Sequence, residues 1–175
     1  HQLSMSSNQN ILQEEAINLL KELIATPSYS KKEDQTAGII GKFLALKNIP
    51  ASRVGNNVFA LNKHYDESKP TILLNSHHDT VRPNPEYKKD PFAPIIEEGK
   101  LFGLGSNDAG GCLVSLLAVF LNFYDKSDSK YNIIFAATAE EEISGAGGIE
   151  YTLPYLPKID CAIVGEPTQM QMAVA

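Results

Sequence analysis

The chain has 175 residues, of which 43% are hydrophobic and 21% are charged, and its formal net charge at pH 7 is -6. This length suits one globular domain, and this composition excludes an intrinsically disordered chain. The acidic balance and the lack of a basic stripe argue against a nucleic-acid-binding protein. Residues 1–4, which precede Met5, are interpreted as a cloning remnant.

No stretch of the sequence is typical of a secretory signal or of a membrane span. The most apolar run, residues 113–123, is far shorter than the roughly 20 residues that a spanning helix needs. Cys112 and Cys161 both lie in apolar runs, which indicates small buried thiols rather than a disulfide framework. We therefore expect a cytoplasmic protein.

Two amphipathic helices open the chain. Apolar residues recur with helical spacing from Leu12 to Leu23 and predict a helix that ends before Pro27. Ser30 and Glu33 have the spacing of a capping box, and they predict the start of a second helix. That helix should end before the Asn-Ile-Pro sequence that follows its last apolar residues.

Apolar runs farther along the chain predict the strands of one sheet. A short strand is expected at 58–61, and the longer runs cover residues 71–74, 132–137 and 161–164. These longer runs are apolar on both faces, which is typical of strands that helices cover. A buried helix at about 111–123 and a shorter glycine-rich helix at about 146–151 lie between them. This order predicts an α/β fold, a three-layer α/β/α sandwich with a largely parallel sheet.

Ionisable residues follow each of the three longer runs directly. They are His77, His78 and Asp79, then Glu140, Glu141 and Glu142, then Glu166, while Asp108 precedes the buried helix. Ligands bind outside the carboxyl ends of the strands in open α/β sheets, so we expect these groups to meet in one crevice. Carboxylates this close need a counter-charge, and a mixed imidazole and carboxylate set suits zinc, with cobalt or manganese as alternatives. The carboxylates outnumber what one tetrahedral zinc uses, which favours two metals sharing a bridging carboxylate.

Each of these motifs has a plainer interpretation when it is taken alone. A His-x-Asp pair is often a surface ion pair, an acidic triplet a solvated loop, a Gly-x-Gly a turn, and a Gly-Glu-Pro merely a strand end. Their occurrence together, each at a strand end or a helix start, argues against chance.

The ordered set of motifs resembles the dinuclear zinc aminoacylase and carboxypeptidase family. The matching segments are residues 76–81, 101–108, 138–142 and 164–168. The Gly-Glu-Pro-Thr ending is most similar to the branch of acetylornithine deacetylase and succinyl-diaminopimelate desuccinylase. The resemblance implies a zinc exopeptidase-like catalytic domain, truncated here: residues 5–175 would be its N-terminal portion, without the lid or dimerisation domain and the C-terminal part.

The resemblance also implies how the metals would be held. His77 and Glu166 would ligate the first zinc, Glu142 would ligate the second, and Asp108 would bridge the two. The family takes one more histidine for the second zinc from its C-terminal part, which this chain lacks. The family commonly has Met-Lys-Gly after the bridging aspartate, whereas this chain has Ala-Gly-Gly at 109–111.

Two further residues would be catalytic by the same resemblance. Asp79 would orient His77, and Glu141 would be the general base that takes a proton from the attacking water. His78 would be a variable neighbour of His77, and Glu140 stands where the family usually has an aspartate or another polar residue.

The implied activity is hydrolysis of the amide bond of an N-acyl amino acid, such as acetylornithine or succinylornithine, by a water that two zinc ions activate. A zinc dipeptidase or carboxypeptidase of the same family is the alternative, and a non-catalytic metal-binding domain ranks third. The complete protein would act in amino-acid biosynthesis, arginine biosynthesis in particular. It would bind a small molecule rather than nucleic acid or a membrane and would dimerise through the missing domain. The chain alone is expected to be inactive.

Overall fold

The computed structural model describes residues 7–168, so the expectation for residues 1–4 lies outside the described part of the chain. The helices are α1 Ser7–Ala25, α2 Asp34–Leu46, α3 Gly111–Phe123 and α4 Ile149–Thr152. The strands are β1 Ser52–Val54, β2 Asn57–Leu61, β3 Thr71–His77, β4 Ile95–Glu97, β5 Lys100–Phe102, β6 Asn132–Thr138 and β7 Cys161–Val164.

Five strands form one sheet in the order β1-β2-β6-β3-β7, and β4 and β5 form a separate hairpin. β3 pairs in parallel with β6 and with β7, as the alternation of strands and helices predicts. β2 runs antiparallel to both β1 and β6. The two-residue turn at Gly55 and Asn56 permits only an antiparallel pairing of β1 with β2. The α/β fold is therefore confirmed, with a mixed sheet in which β6, β3 and β7 form the parallel part and β7 is an edge strand.

The main core lies between the sheet and α1, α2 and α3. Phe120 of α3 is fully buried, and its ring centroid lies 6.0 Å from that of Phe135 in β6. Ile40 and Leu44 of α2 belong to the same apolar cluster. The alternate residues of the strands, such as Ile134, form a smaller cluster with α4 and the segment after it. Helical elements therefore cover both faces of the sheet, which gives three layers.

Some predicted burials are wrong. β7 was expected to be a buried strand, but all four of its residues, Cys161 included, are exposed because β7 lies at the edge of the sheet. α3 was expected to be buried nearly all round. Its inner face is buried, but Val119 is 44% exposed because only one side of the helix contacts the sheet. Cys112, at the start of α3, is only half-buried.

The predicted capping box at the start of α2 is also wrong. Glu33 occupies the N-cap position, but no side chain makes a capping hydrogen bond. Ser30 donates its hydroxyl to a carboxylate oxygen of Asp79 at 2.7 Å, and Glu33 accepts the backbone N–H of Lys31 at 2.6 Å. Both side chains therefore bind partners other than the helix end that their spacing suggested.

Residues 106–123 are long and apolar enough to cross a membrane by length and composition. Their backbone departs from helical geometry at Asp108 and Ala109, so that α3 itself has 13 residues. α3 packs on α1, β3 and β6, as a core helix does.

Candidate metal centre

The carboxyl ends of the three parallel strands bring the predicted site residues to one edge of the sheet. His77 is the last residue of β3 and pairs with Thr138, the last residue of β6. Glu141 and Glu142 lie in a single helical turn after β6, and Glu166 follows β7 by two residues. This placement follows from the parallel pairing, because the carboxyl ends of parallel strands lie at the same end of the sheet.

His77 lies at the centre of the site, with its side chain fully buried. Its Nε2 atom faces three carboxylates, at 3.2 Å from Asp108 Oδ1, 3.6 Å from Glu141 Oε2 and 3.8 Å from Glu166 Oε2. Its Nδ1 atom lies 3.1 Å from the backbone carbonyl oxygen of Asp79 and 3.3 Å from Asp79 Oδ1. The ring therefore has one nitrogen toward the crevice and one toward the carboxylate that was expected to orient it.

Two groups of ligand atoms could each hold a metal ion. Atoms of His77, Asp108 and Glu142 lie within 4.8 Å of one another, and so do atoms of His77, Glu141 and Glu166. The structure thus brings all four predicted metal ligands into one crevice. It places Glu166 with Glu141, however, whereas the resemblance placed Glu166 with Asp108. Both groups contain His77, which has only one ring nitrogen toward the crevice.

Asp79 connects the His77 ring to the backbone that carries the two glutamates. Its Oδ1 accepts the backbone N–H of Glu141 at 3.1 Å, and its Oδ2 accepts that of Glu142 at 3.2 Å. Burial opposes ionisation of Asp79, but the hydrogen bonds from His77, the Ser30 hydroxyl and the Glu141 amide outweigh it and lower the pKa. Asp79 is therefore a charged acceptor that fixes both the ring and the loop.

The charge balance of the crevice is strongly negative. Burial of the His77 ring opposes its protonation, but the hydrogen bond and charge of Asp79, with the charges of two glutamates, raise the pKa of His77 to about 9. Burial and the charge of Asp108 raise the pKa of Glu142. Burial and neighbouring glutamates likewise raise the pKa of Glu166, against the opposite effect of His77. Positive charge would be stabilised here.

The donor set fits a divalent cation. Imidazole nitrogen and carboxylate oxygen are ligands of zinc and of other first-row metals. Within residues 7–168, no lysine or arginine forms an ion pair with Asp108, Glu141, Glu142 or Glu166. A bound cation would supply the counter-charge that the protein itself does not place there.

Side chains from distant parts of the chain hold the start of the loop at 139–142, here called the acidic loop. The four successive backbone N–H groups donate to Asn57 Oδ1, Glu33 Oε1, Asp79 Oδ1 and Asp79 Oδ2, in that order. The sequence indicated no such role for Asn57, and it indicated Glu33 only as part of a capping box. No local signal could have found them, because they lie 82 and 107 residues from their partners.

His78 is engaged on both ring nitrogens and is not available to a metal ion. Its Nε2 lies 2.9 Å from the Asn56 carbonyl and its Nδ1 lies 2.8 Å from the Thr36 hydroxyl. Burial lowers the pKa of His78, which favours the neutral ring, with Nε2–H donating to Asn56 and the Thr36 hydroxyl donating to Nδ1. His78 is thus a structural neighbour of His77.

A cleft of about 620 Å³ opens beside the metal-binding crevice. Its lining includes Glu141 and Glu166 together with apolar residues such as Leu73, Ile149 and Leu153. A volume of this size admits a small organic molecule.

Comparisons of the sequence agree with this geometry. Residues 73–175 match the profile described as peptidase family M20/M25/M40. A succinyl-diaminopimelate desuccinylase of Buchnera aphidicola is 32% identical over 157 residues, covering 86% of this chain and 42% of the relative. An acetylornithine deacetylase of Salmonella typhimurium is 32% identical over 170 residues, covering 89% of this chain and 43% of the relative. The chain thus spans less than half the length of these relatives.

Solved structures of the same family share the fold. The M20 family metallo-carboxypeptidase Sso-CP2 from Sulfolobus solfataricus superposes with a TM-score of 0.69 at 25% identity, covering 92% of this chain and 37% of the other. The YXEP protein of Bacillus subtilis, described as a dinuclear metal-binding peptidase, gives a TM-score of 0.66 at 21% identity, covering 89% of this chain and 43% of the other. The profile covers more than half of the chain, and its matched region contains every predicted metal ligand. The chain therefore belongs to peptidase family M20/M25/M40.

Proposed function

We propose that this chain is the N-terminal portion of the catalytic domain of a metal-dependent hydrolase that cleaves the amide bond of an N-acyl amino acid. The main support for the proposal is the crevice around His77, where an imidazole nitrogen and four carboxylates meet and no lysine or arginine among residues 7–168 forms an ion pair with those carboxylates. The names of the relatives, a desuccinylase and a deacetylase, favour an acetyl or succinyl group on an amino acid.

In this proposal, His77, Asp108, Glu142 and Glu166 would supply this chain's ligands for two divalent cations in the complete protein, zinc by preference. Such cations supply a Lewis acid for the scissile carbonyl and lower the pKa of an attacking water. Asp79 keeps the His77 ring oriented through Nδ1 at 3.3 Å, so that Nε2 is the nitrogen that points at the crevice. The carboxylates hold the cations and neutralise their charge.

Glu141 acts as the general base in this proposal. Its side chain is 52% exposed, and its Oε2 lies 3.6 Å from the central imidazole nitrogen, so it reaches both the crevice and solvent. It takes a proton from the attacking water and delivers it to the leaving amine. The hydrogen bond from its own backbone N–H to Asp79 fixes the point from which the side chain extends.

A peptidase is the second candidate function. The likeness to a metallo-carboxypeptidase at 25% identity supports it, and the cleft beside the crevice would admit a short peptide end as well as an acyl amino acid. We further propose that the complete protein is a cytoplasmic dimer that acts in amino-acid biosynthesis, as the acetylornithine deacetylase relatives suggest for arginine.

Hydrolysis assays of the complete protein with zinc test the proposal. The substrates are N-acetylornithine, N-succinylornithine and a panel of dipeptides, with a Glu141→Gln variant as the blank. We expect kcat/KM for an acyl amino acid to exceed that for every dipeptide by about tenfold or more, a modest difference in transition-state binding. The opposite order would favour the peptidase, and no zinc-dependent hydrolysis of either class would reject the proposal.

A further inference from the structure

We propose that Glu33 is a positioning residue for Glu141 and Glu142, and that its buried carboxylate holds the acidic loop in the shape that presents them to the metal crevice. The inference rests on the proposed function, because it assigns Glu33 to the same site. Glu33 acts through the backbone of residue 140 rather than through the side chain of a proposed ligand.

The carboxylate of Glu33 is fully buried, and hydrogen bonds from three donors hold it. Its Oε1 accepts the backbone N–H groups of Lys31 at 2.6 Å and of Glu140 at 3.2 Å. Its Oε2 accepts the side-chain amide of Asn56 at 2.9 Å. All three partners are donors, and the start of α2 adds the favourable end of a helix dipole. Burying a carboxylate costs free energy, so a buried carboxylate that is held by three donors indicates a specific role in the structure.

The contact with Glu140 controls how the acidic loop leaves β6. Glu140 has φ of 55°, a left-handed conformation that is strained for a residue with a Cβ. This turn directs the next two backbone N–H groups toward Asp79. Glu33 therefore holds the amide at 140 while Asp79 holds those at 141 and 142, and the two acidic side chains act on one short segment.

The competing explanation is that Glu33 only joins α2 to the β1–β2 turn through Asn56. Such a role would affect stability without affecting metal affinity. A substitution that changes the hydrogen bonds but conserves shape separates the two explanations. In Glu33→Gln one acceptor oxygen is replaced by an amide N–H₂ group, which donates. In either orientation of the new side chain this group faces a donor, either the Asn56 amide or the backbone N–H groups of Lys31 and Glu140.

A second substitution repairs this mismatch. In the double variant Glu33→Gln with Asn56→Asp, the introduced amide can donate to the introduced carboxylate, and the remaining oxygen still accepts the N–H groups of Lys31 and Glu140. The net charge equals that of the wild type. Arg53, which donates to Asn56 Oδ1 at 2.9 Å, keeps an acceptor. The control is Asp34→Asn, the same charge change one residue away, on a side chain that is 82% exposed.

Zinc titration of the 175-residue chain and amide hydrogen exchange are the two measurements. We expect Glu33→Gln to weaken zinc binding by about tenfold or more and to speed exchange at Glu141 and Glu142. The double variant should recover most of both losses, and Asp34→Asn should match the wild type. In the complete protein, Glu33→Gln should lower kcat and leave KM nearly unchanged, with recovery in the double variant.

The outcomes separate this inference from the proposed function. Three results would each overturn the inference. Glu33→Gln could keep the zinc affinity and amide exchange of the wild type, or Asp34→Asn could lose as much zinc affinity as Glu33→Gln. The third is a double variant that folds without recovering zinc affinity. Loss of folding in both Glu33 variants would assign a purely structural role and overturn it too. If Glu33→Gln alone fails to fold and the double variant folds with wild-type zinc affinity, the role of Glu33 is structural and the inference is likewise overturned. If the wild type binds no zinc, that result counts against the proposed function. The amide exchange rates at residues 141 and 142 would still show whether Glu33 holds the acidic loop.

Discussion

At the scale of single residues, Glu141 and Glu142 are adjacent in sequence but differ in their surroundings. The Glu141 side chain is 52% exposed, whereas Glu142 is half-buried and its pKa is raised by burial and by the charge of Asp108. Glu142 also forms a ligand group with His77 and Asp108. An exposed carboxylate suits proton transfer with solvent, and a recessed one beside another carboxylate suits a cation.

This difference predicts separate effects of two substitutions in the complete protein. Glu141→Gln should lower kcat by about 10²–10⁴-fold, the usual contribution of a general base, while zinc content stays nearly unchanged. Glu142→Gln should instead reduce the zinc content, because it removes a charged ligand. Steady-state kinetics and metal analysis of the same preparations check both effects. The reverse pattern would show that the two assignments are exchanged.

Asp79 offers a second test at this scale. Asp79→Asn would place a donor amide against donors, since both oxygens already accept N–H or O–H groups. We expect the zinc affinity of the chain to fall by about 10–100-fold, as for other partners of metal-bound histidines. Asp125→Asn, the same change on an exposed residue paired with Lys63, is the control. Equal zinc affinities in the two variants would remove Asp79 from the site.

At the scale of elements, periodic apolar patterns predicted the helices and central strands well. α3 and β6 were predicted within about two residues at each end, a typical uncertainty for assigned boundaries. Burial was predicted less well, because an apolar run such as Cys161–Val164 does not reveal whether another layer covers it. The site ligands were predictable because strand ends carry them. Glu33 and Asn57 were not, since their partners are distant in sequence.

The packing of α3 gives a prediction about stability. Phe120 is fully buried against Phe135 and Tyr124, so Phe120→Ala should lower the free energy of unfolding by about 3–5 kcal/mol. Val119, the preceding residue, is 44% exposed, and Val119→Ala should cost less than about 1 kcal/mol. Urea unfolding of both variants measures the difference. Similar losses in the two would mean that α3 does not pack as described.

At the scale of the whole molecule, β7 is an apolar strand at one edge of the sheet, with Ile163 50% and Val164 58% exposed. β3 pairs with one side of β7, and no other described strand pairs with it. An exposed apolar edge is a template for association with another chain.

The exposed edge predicts how the 175-residue chain behaves in solution. The chain should associate as its concentration rises, and Ile163→Lys should reduce this association, because a lysine at a strand edge opposes pairing. Sedimentation velocity over a range of concentrations measures it. Tyr131→Lys, which alters a residue 49% exposed just before β6, is the control. If both variants associate like the wild type, the edge of β7 is not the contact.

One imidazole, that of His77, organises the candidate metal site in this chain. Both ligand groups need His77, and its Nε2 is the ring nitrogen that faces the crevice, so they cannot both be complete at once. Calorimetric titration of the 175-residue chain with zinc is the most direct test. We predict one tight zinc per chain, lost in His77→Ala and retained in His64→Ala, whose exposed ring pairs with Asp125. Two tight sites, or tight binding that survives in His77→Ala, would contradict the account.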